Sequence, residues 1–141
     1  MDTREQKPLF SPPVIPWTGG LSIGHRALKH GDYSVHGFMD QIVAERKQMS
    51  DLLAYIGKDR DRTIKKLDAM QRFFFKAFLI EADDALDLPD YTQLQESHVL
   101  GFLKCLRVKY GFHILISRDR QELERFVLEH FIYAVKLLRQ V

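Results

Sequence analysis

Three titratable side chains fall at positions that helical periodicity turns inward, and together they have the chemistry of a metal site. They are Glu81, His98 and His130. In "LPDYTQLQESH" (88–98), His98 lies one helical turn from Leu94 and so shares its apolar face. Two imidazoles and one carboxylate form the ligand set of open mononuclear iron sites. The sequence therefore indicates a metal site inside a helical core.

A polar core network is the alternative interpretation of the same three residues. Burying an unpaired carboxylate is costly, so Glu81 must be paired, neutral or not buried. The two histidines could hydrogen-bond to Glu81 or to backbone carbonyls without any metal. Residue types alone leave both interpretations open.

Composition describes an ordinary globular chain of one domain. It has 141 residues, 45% hydrophobic and 28% charged, with a formal charge of +2. The basic run "GKDRDRTIKK" (57–66) is interleaved with aspartates, which favours a solvated helix start over a nucleic-acid patch. A single cysteine, Cys105, excludes an intrachain disulfide and is best explained as core filler. We expect a cytoplasmic protein that does not contact a membrane, because no long apolar stretch or signal-peptide core occurs. Because the basic run is interleaved with aspartates, we also expect no nucleic-acid partner.

Apolar periodicity predicts an all-α fold. Residues 1–24 contain four of the five prolines and are expected to form an irregular arm that packs on the body. Residues 25–141 are expected to form an up-down-up-down four-helix bundle, because the connections are short and no alternating strand pattern is visible. The predicted helices cover 32–56, 61–86, 91–110 and 119–139.

From residue 17 onward the sequence resembles the bacterial hemerythrin-like family, whose members are four-helix bundles with a di-iron centre. The resemblance rests on five stretches that occur in order with about the family's spacing: "WTGGLSIG" (17–24), "LKHGDYSVHGFMDQI" (28–42), "FFFKAFLIEA" (73–82), "LPDYTQLQESH" (88–98) and "FVLEHFIYAV" (126–135). It implies the same bundle that the periodicity predicts.

The resemblance also implies a reduced ligand set. Glu81, His98 and His130 match ligand positions of the family, whereas apolar residues stand at three others: Ala77, Leu94 and Val135. Asp32 stands where the family has its first histidine and could add a fourth ligand, although it could equally cap the first helix. His36 is a weaker alternative for that position. The survivors imply one iron ion rather than two, and zinc or manganese would also accept these ligands.

The resemblance and its reduced ligand set together imply a function for the chain. The resemblance implies a metal-binding domain that senses or carries oxygen, another small ligand or redox state, with a signalling protein as a possible partner. The alternative is a metal-free pseudo-hemerythrin that serves as an interaction or structural module. No general base beside a substrate pocket is recognisable, so we expect no enzymatic activity.

Overall fold

The fold is a small parallel sheet with helices on both faces. The computed structural model describes residues 28, 30–83, 88 and 92–140. Within this part of the chain the elements are, in order, β1 (Ile42–Gln48), α1 (Met49–Ile56), α2 (Arg60–Ala69), β2 (Phe75–Glu81), α3 (Glu96–Lys104), a π-helical segment (Cys105–Lys109), β3 (His113–Ile116) and α4 (Arg120–Arg139).

All three strands run in the same direction, in the spatial order β1-β2-β3. The register pairs Gln48 of β1 with Glu81 of β2, and Ile80 of β2 with Ile116 of β3. The carboxyl ends of the strands therefore meet at one edge of the sheet. In open α/β sheets this is the edge where ligands bind.

Apolar residues cover both faces of the sheet and form two cores. Val43, Phe78 and Ile80 pack on one face with side chains of α1, α2 and α3. Residues on the opposite side of the same strands, such as Ala44 and Leu79, pack with α4. Because β2 is the central strand, both of its faces are buried, and six of its seven residues are inaccessible to solvent.

A short segment before β1 lies along the outer edge of the sheet. Tyr33 forms an antiparallel bridge with Ala44. Gly31 turns the chain into this segment with φ +71°, and a Cβ at this position would lie 2.1 Å from Cγ2 of Val43. Glycine is therefore required here for both conformation and space. The turn delivers Asp32 to the edge of β1.

The predicted all-α four-helix bundle is wrong. The first predicted helix (32–56) covers the edge segment, β1 and α1, and the second (61–86) covers α2 and β2. The third predicted connection contains β3. Strands buried on both faces form continuous apolar runs that lack alternation, and such runs fit a helical stripe equally well.

The last predicted helix is confirmed, since α4 spans Arg120–Arg139. Asp119 caps its start, where its carboxylate accepts from the backbone N–H groups of Gln121 and Glu122. The predicted arm (1–24) lies outside the described residues. In the described part of the chain, no helix combines the length and the apolar character needed to cross a membrane.

Candidate active site

A carboxylate is buried in the middle of the edge strand β1. Glu45 is only 1% exposed. Its Oε1 accepts hydrogen bonds from Lys66 Nζ at 2.5 Å and from Tyr55 Oη at 3.1 Å, and Lys47 Nζ lies 3.7 Å away. Its Oε2 is buried and has no hydrogen-bond partner among the described residues. One oxygen is thus anchored, while the other can accept a ligand.

Charge and burial act together on the groups around Glu45. Burial alone would lower the pKa of Lys66, but the charge of Glu45 and the hydrogen bonds to Glu45 and Tyr55 raise this pKa well above its ordinary value. Burial, followed by the charge of Glu45, raises the pKa of the Tyr55 hydroxyl. At neutral pH Lys66 is therefore a cation and Tyr55 a neutral donor.

Asp32 lies beside Glu45 along the outer edge of β1. Its backbone N–H donates to the carbonyl of Ala44 at 3.0 Å, and its Oδ2 accepts from the backbone N–H of Arg46 at 2.8 Å. These two partners are the residues on either side of Glu45. Asp32 is consequently held against the backbone of β1 on either side of Glu45.

Glu81 ends β2 and joins three elements. Its Oε2 accepts from Arg46 Nη1 at 2.6 Å, and its Oε1 accepts from Arg120 Nη1 at 3.3 Å. The Arg46 side chain is 6% exposed, so it is a buried cation paired with a nearly buried carboxylate. A cavity of about 380 Å³ opens at this edge of the sheet, lined by Gln48, Met49, Ser50, Glu81 and Arg118.

The two predicted histidine ligands lie elsewhere and have identifiable structural contacts. His98 is exposed in the first turn of α3, where its Nδ1 accepts from the backbone N–H of Gln95 at 2.9 Å. His130 is half-buried in α4, with Nδ1 2.8 Å from the carbonyl of Phe126 and its ring stacked on the rings of Phe126 and Phe75.

The predicted ligand set does not form one cluster. No group of three or more His, Cys, Asp or Glu side chains that could hold a metal ion is present within the described ranges. Asp32 is not a helix cap, because α1 begins only at Met49. His36 lies exposed in a turn before β1.

Sequence reasoning missed Glu45, Lys47 and Lys66. Glu45 and Lys47 fell inside the first predicted helix, where no role was assigned to them, and Lys66 belonged to the run interpreted as a solvated helix start. A usable signal was present in "IVAERK" (42–47), a short β-branched and apolar run that ends in charges of both signs. Polar residues that end a buried strand lie at the edge where α/β proteins bind ligands.

Comparison with known proteins identifies relatives of this fold. The ERCC4 domain model matches residues 1–129. The structure of XPF from Aeropyrum pernix aligns with a TM-score of 0.67 and 18% identity, over 99% of this chain and 67% of that one. XPF from the same organism in complex with DNA aligns with a TM-score of 0.61 and 18% identity, over 79% of this chain and 52% of that one. No curated protein matches.

These findings overturn the resemblance to hemerythrins and the predictions that depended on it. An iron centre and the sensing or carriage of oxygen, small ligands or redox state are wrong, as is the metal-free pseudo-hemerythrin module. The expected lack of enzymatic activity rested on the lack of a recognisable general base, and the family match contradicts it as well. The expected lack of a nucleic-acid partner is contradicted by the XPF structure with DNA. Since the family match spans most of the sequence, the chain belongs to the ERCC4 domain family.

Proposed function

We propose that this chain is a metal-dependent nuclease that hydrolyses phosphodiester bonds in DNA. The relatives that support the proposal are XPF-type nucleases, one of them solved in complex with DNA. The observation that carries it is the Glu45 carboxylate, which is buried in the middle of a parallel strand with one oxygen lacking a partner among the described residues. A buried carboxylate oxygen without a hydrogen-bond partner can coordinate a divalent cation that binds together with the substrate.

The residues present fit a hard divalent cation such as Mg²⁺ or Mn²⁺. Such ions prefer carboxylate oxygens, and they are usually held by one or two carboxylates together with substrate phosphates and water. Glu45 and Asp32 would supply these two carboxylates. A buried acceptor without a partner costs about 1–3 kcal/mol, and coordination would remove that cost. When bound, the metal ion supplies Lewis acidity and activates a water molecule as the nucleophile.

Lys47 provides a cation beside the Glu45 carboxylate. Its side chain is 19% exposed, its Nζ lies 3.7 Å from Glu45 Oε1, and its ammonium sits 4.3 Å from the centre of the Tyr55 ring. Attack on a phosphodiester adds negative charge to the phosphate oxygens, and a fixed cation in a site of low polarity stabilises that charge strongly. We assign this role to Lys47.

Glu81 supports the site by holding its arginines. Both carboxylate oxygens accept from guanidinium groups, so we place Glu81 outside the metal coordination sphere, although the sequence alone predicts it as a ligand. Arg118, 63% exposed, lines the cavity at the same edge. Exposed cations at this edge can contact DNA phosphates, which dominate the affinity of proteins for DNA.

A cleavage assay with labelled DNA tests the proposal. Single strands, duplexes and duplexes with a single-stranded tail are incubated with Mg²⁺ or Mn²⁺ and the full chain. We expect Glu45→Gln, Asp32→Asn and Lys47→Met to slow cleavage by about 100-fold or more. Asp40→Asn is the matched control, because Asp40 is exposed and precedes the amino end of β1. Cleavage that survives chelation of divalent metal, or that Glu45→Gln leaves intact, would refute the proposal.

A further inference from the structure

We propose that Lys66 and Tyr55 are positioning residues that fix the Glu45 carboxylate, so that Oε2 is the oxygen presented to the divalent cation. This inference rests on the proposed function, because it assigns Glu45 to a metal. It concerns two helices that contribute no carboxylate to the site. It explains why one oxygen of Glu45 has several donors and the other has none in the described part of the chain.

Three elements meet at a single oxygen atom. Lys66 lies on α2, Tyr55 on α1 and Glu45 on β1. Lys66 Nζ donates to Glu45 Oε1 at 2.5 Å and to Tyr55 Oη at 2.8 Å, and Tyr55 Oη donates to Glu45 Oε1 at 3.1 Å. The three groups form a closed triangle of hydrogen bonds. Because both donors reach the same oxygen, the carboxylate cannot rotate without breaking two bonds.

The two donors are held in place by the core beneath them. Leu67 follows Lys66 in α2 and is 2% exposed, and Leu52 is fully buried one turn before Tyr55 in α1. Both leucines belong to the apolar cluster that α1, α2 and α3 form on the sheet. The alkyl stem of Lys66 can follow this surface while its ammonium reaches Glu45. The triangle is therefore fixed by packing as well as by its own bonds.

Charge and orientation make different contributions, and the structure allows them to be separated. An ammonium group close to Glu45 repels a divalent cation, so its charge alone would weaken metal binding. Its hydrogen bond, in contrast, turns Oε2 toward the cation and prepares the site in advance. If positioning is the role of Lys66, a neutral donor at this position retains metal affinity and an apolar side chain loses it.

Calorimetric titration of the metal-free full chain with Mn²⁺ tests this inference without relying on cleavage. We expect Lys66→Met and Tyr55→Phe each to weaken Mn²⁺ binding by about tenfold, and the pair together to be non-additive, because both donors serve one oxygen. Lys66→Gln keeps a donor and should bind within about threefold of the unchanged chain. Lys65→Met, on the exposed neighbour, is the matched control and should have no effect.

The possible outcomes separate the positioning role of Lys66 and Tyr55 from the proposed metal site at Glu45. Unchanged affinity in Lys66→Met and Tyr55→Phe, with affinity lost in Glu45→Gln, would overturn the positioning role and leave the proposed function intact. Unchanged affinity in Glu45→Gln would instead contradict the metal site of the proposed function. Equal loss in Lys66→Gln and Lys66→Met would also overturn positioning, since the donor would then not suffice. If Lys66→Met does not fold, Lys66→Gln and Tyr55→Phe decide the question.

Discussion

Arg46 Nη1 lies 2.6 Å from Glu81 Oε2 and links the edge strand β1 to the central strand β2 at the edge of the candidate site. The same carboxylate holds Arg120 at the start of α4 through its other oxygen, at 3.3 Å. In the strand register Arg46 lies between Glu45 and Gln48, the residue paired with Glu81. Glu81 thus neutralises the charge of Arg46 in the protein interior. Lys47 lies on the opposite face of β1, where it and Lys66 are the cations next to Glu45.

Glu81→Gln should destabilise the fold by about 2–4 kcal/mol, because it removes the negative charge that Glu81 places against the buried Arg46 guanidinium. Urea unfolding measures the change. Asp83→Asn removes a carboxylate from an ion pair with Arg118 that is more than half exposed, and it should cost less than about 0.5 kcal/mol. Equal effects of the two substitutions would show that burial of the Arg46–Glu81 pair has no energetic consequence.

Gly31→Ala should damage both stability and metal binding. The added Cβ would lie 2.1 Å from Val43 and would occupy a positive-φ position, so the turn that delivers Asp32 must shift. We expect a loss of about 1–3 kcal/mol in unfolding free energy. Gly101→Ala is the control, since a Cβ there meets open space within α3 and should stabilise the helix by up to about 1 kcal/mol. A tolerated Gly31→Ala would refute this account of the turn.

Replacing His98 and His130 together by alanine should leave Mn²⁺ affinity unchanged. The sequence predicts both residues as metal ligands, whereas the proposed site places metal at Glu45 and Asp32. His98→Ala removes the acceptor for the Gln95 N–H and should cost a few tenths to about 1 kcal/mol of stability. Calorimetry and urea unfolding separate the two effects. If a folded double variant loses Mn²⁺ affinity, the histidines are metal ligands and the proposed site at Glu45 and Asp32 is contradicted.

Alkaline pH should weaken the fold through the Glu45 cluster. The pKa values of Lys66 and Tyr55 are both raised in the folded state, so between their unfolded and folded values the folded chain binds more protons than the unfolded chain. Their stabilising contribution is full below about pH 10 and falls as pH rises beyond the unfolded values. Urea midpoints from pH 8 to 11 should therefore fall less steeply in the double variant Tyr55→Phe, Lys66→Gln than in the Lys65→Gln control. Parallel slopes would contradict the predicted linkage.

The helix that the sequence predicted best is the one with ordinary amphipathic spacing and a recognisable cap. Residues 120–139 keep one apolar face against the sheet, and Asp119 marks the start. Helical periodicity failed at "FFFKAFLI" (73–80), because the central strand of a parallel sheet is apolar on both faces and offers no alternation. Length was the better criterion, since this run is too short for a typical helix.

The candidate site was only partly predictable for a related reason. Glu81 was identified as a candidate ligand from a helical periodicity that the structure does not have, and Asp32 from a resemblance that the family match overturns. Glu45 stood in a segment interpreted as helix, where a charged residue between apolar ones signals a solvated face. Its burial arises only when α1 and α2 close over β1 and bring Tyr55 and Lys66 to it. Contacts between residues 10 and 21 positions apart are not visible in local spacing.

The most direct test of the central claim is the rate of DNA cleavage by the full chain in Mg²⁺ or Mn²⁺, compared with Glu45→Gln and with the Asp40→Asn control. We expect metal-dependent cleavage that Asp40→Asn retains and Glu45→Gln reduces by about 100-fold or more. Equal cleavage by all three proteins, or none by the unchanged chain on any of the three DNA forms with either metal, would contradict it.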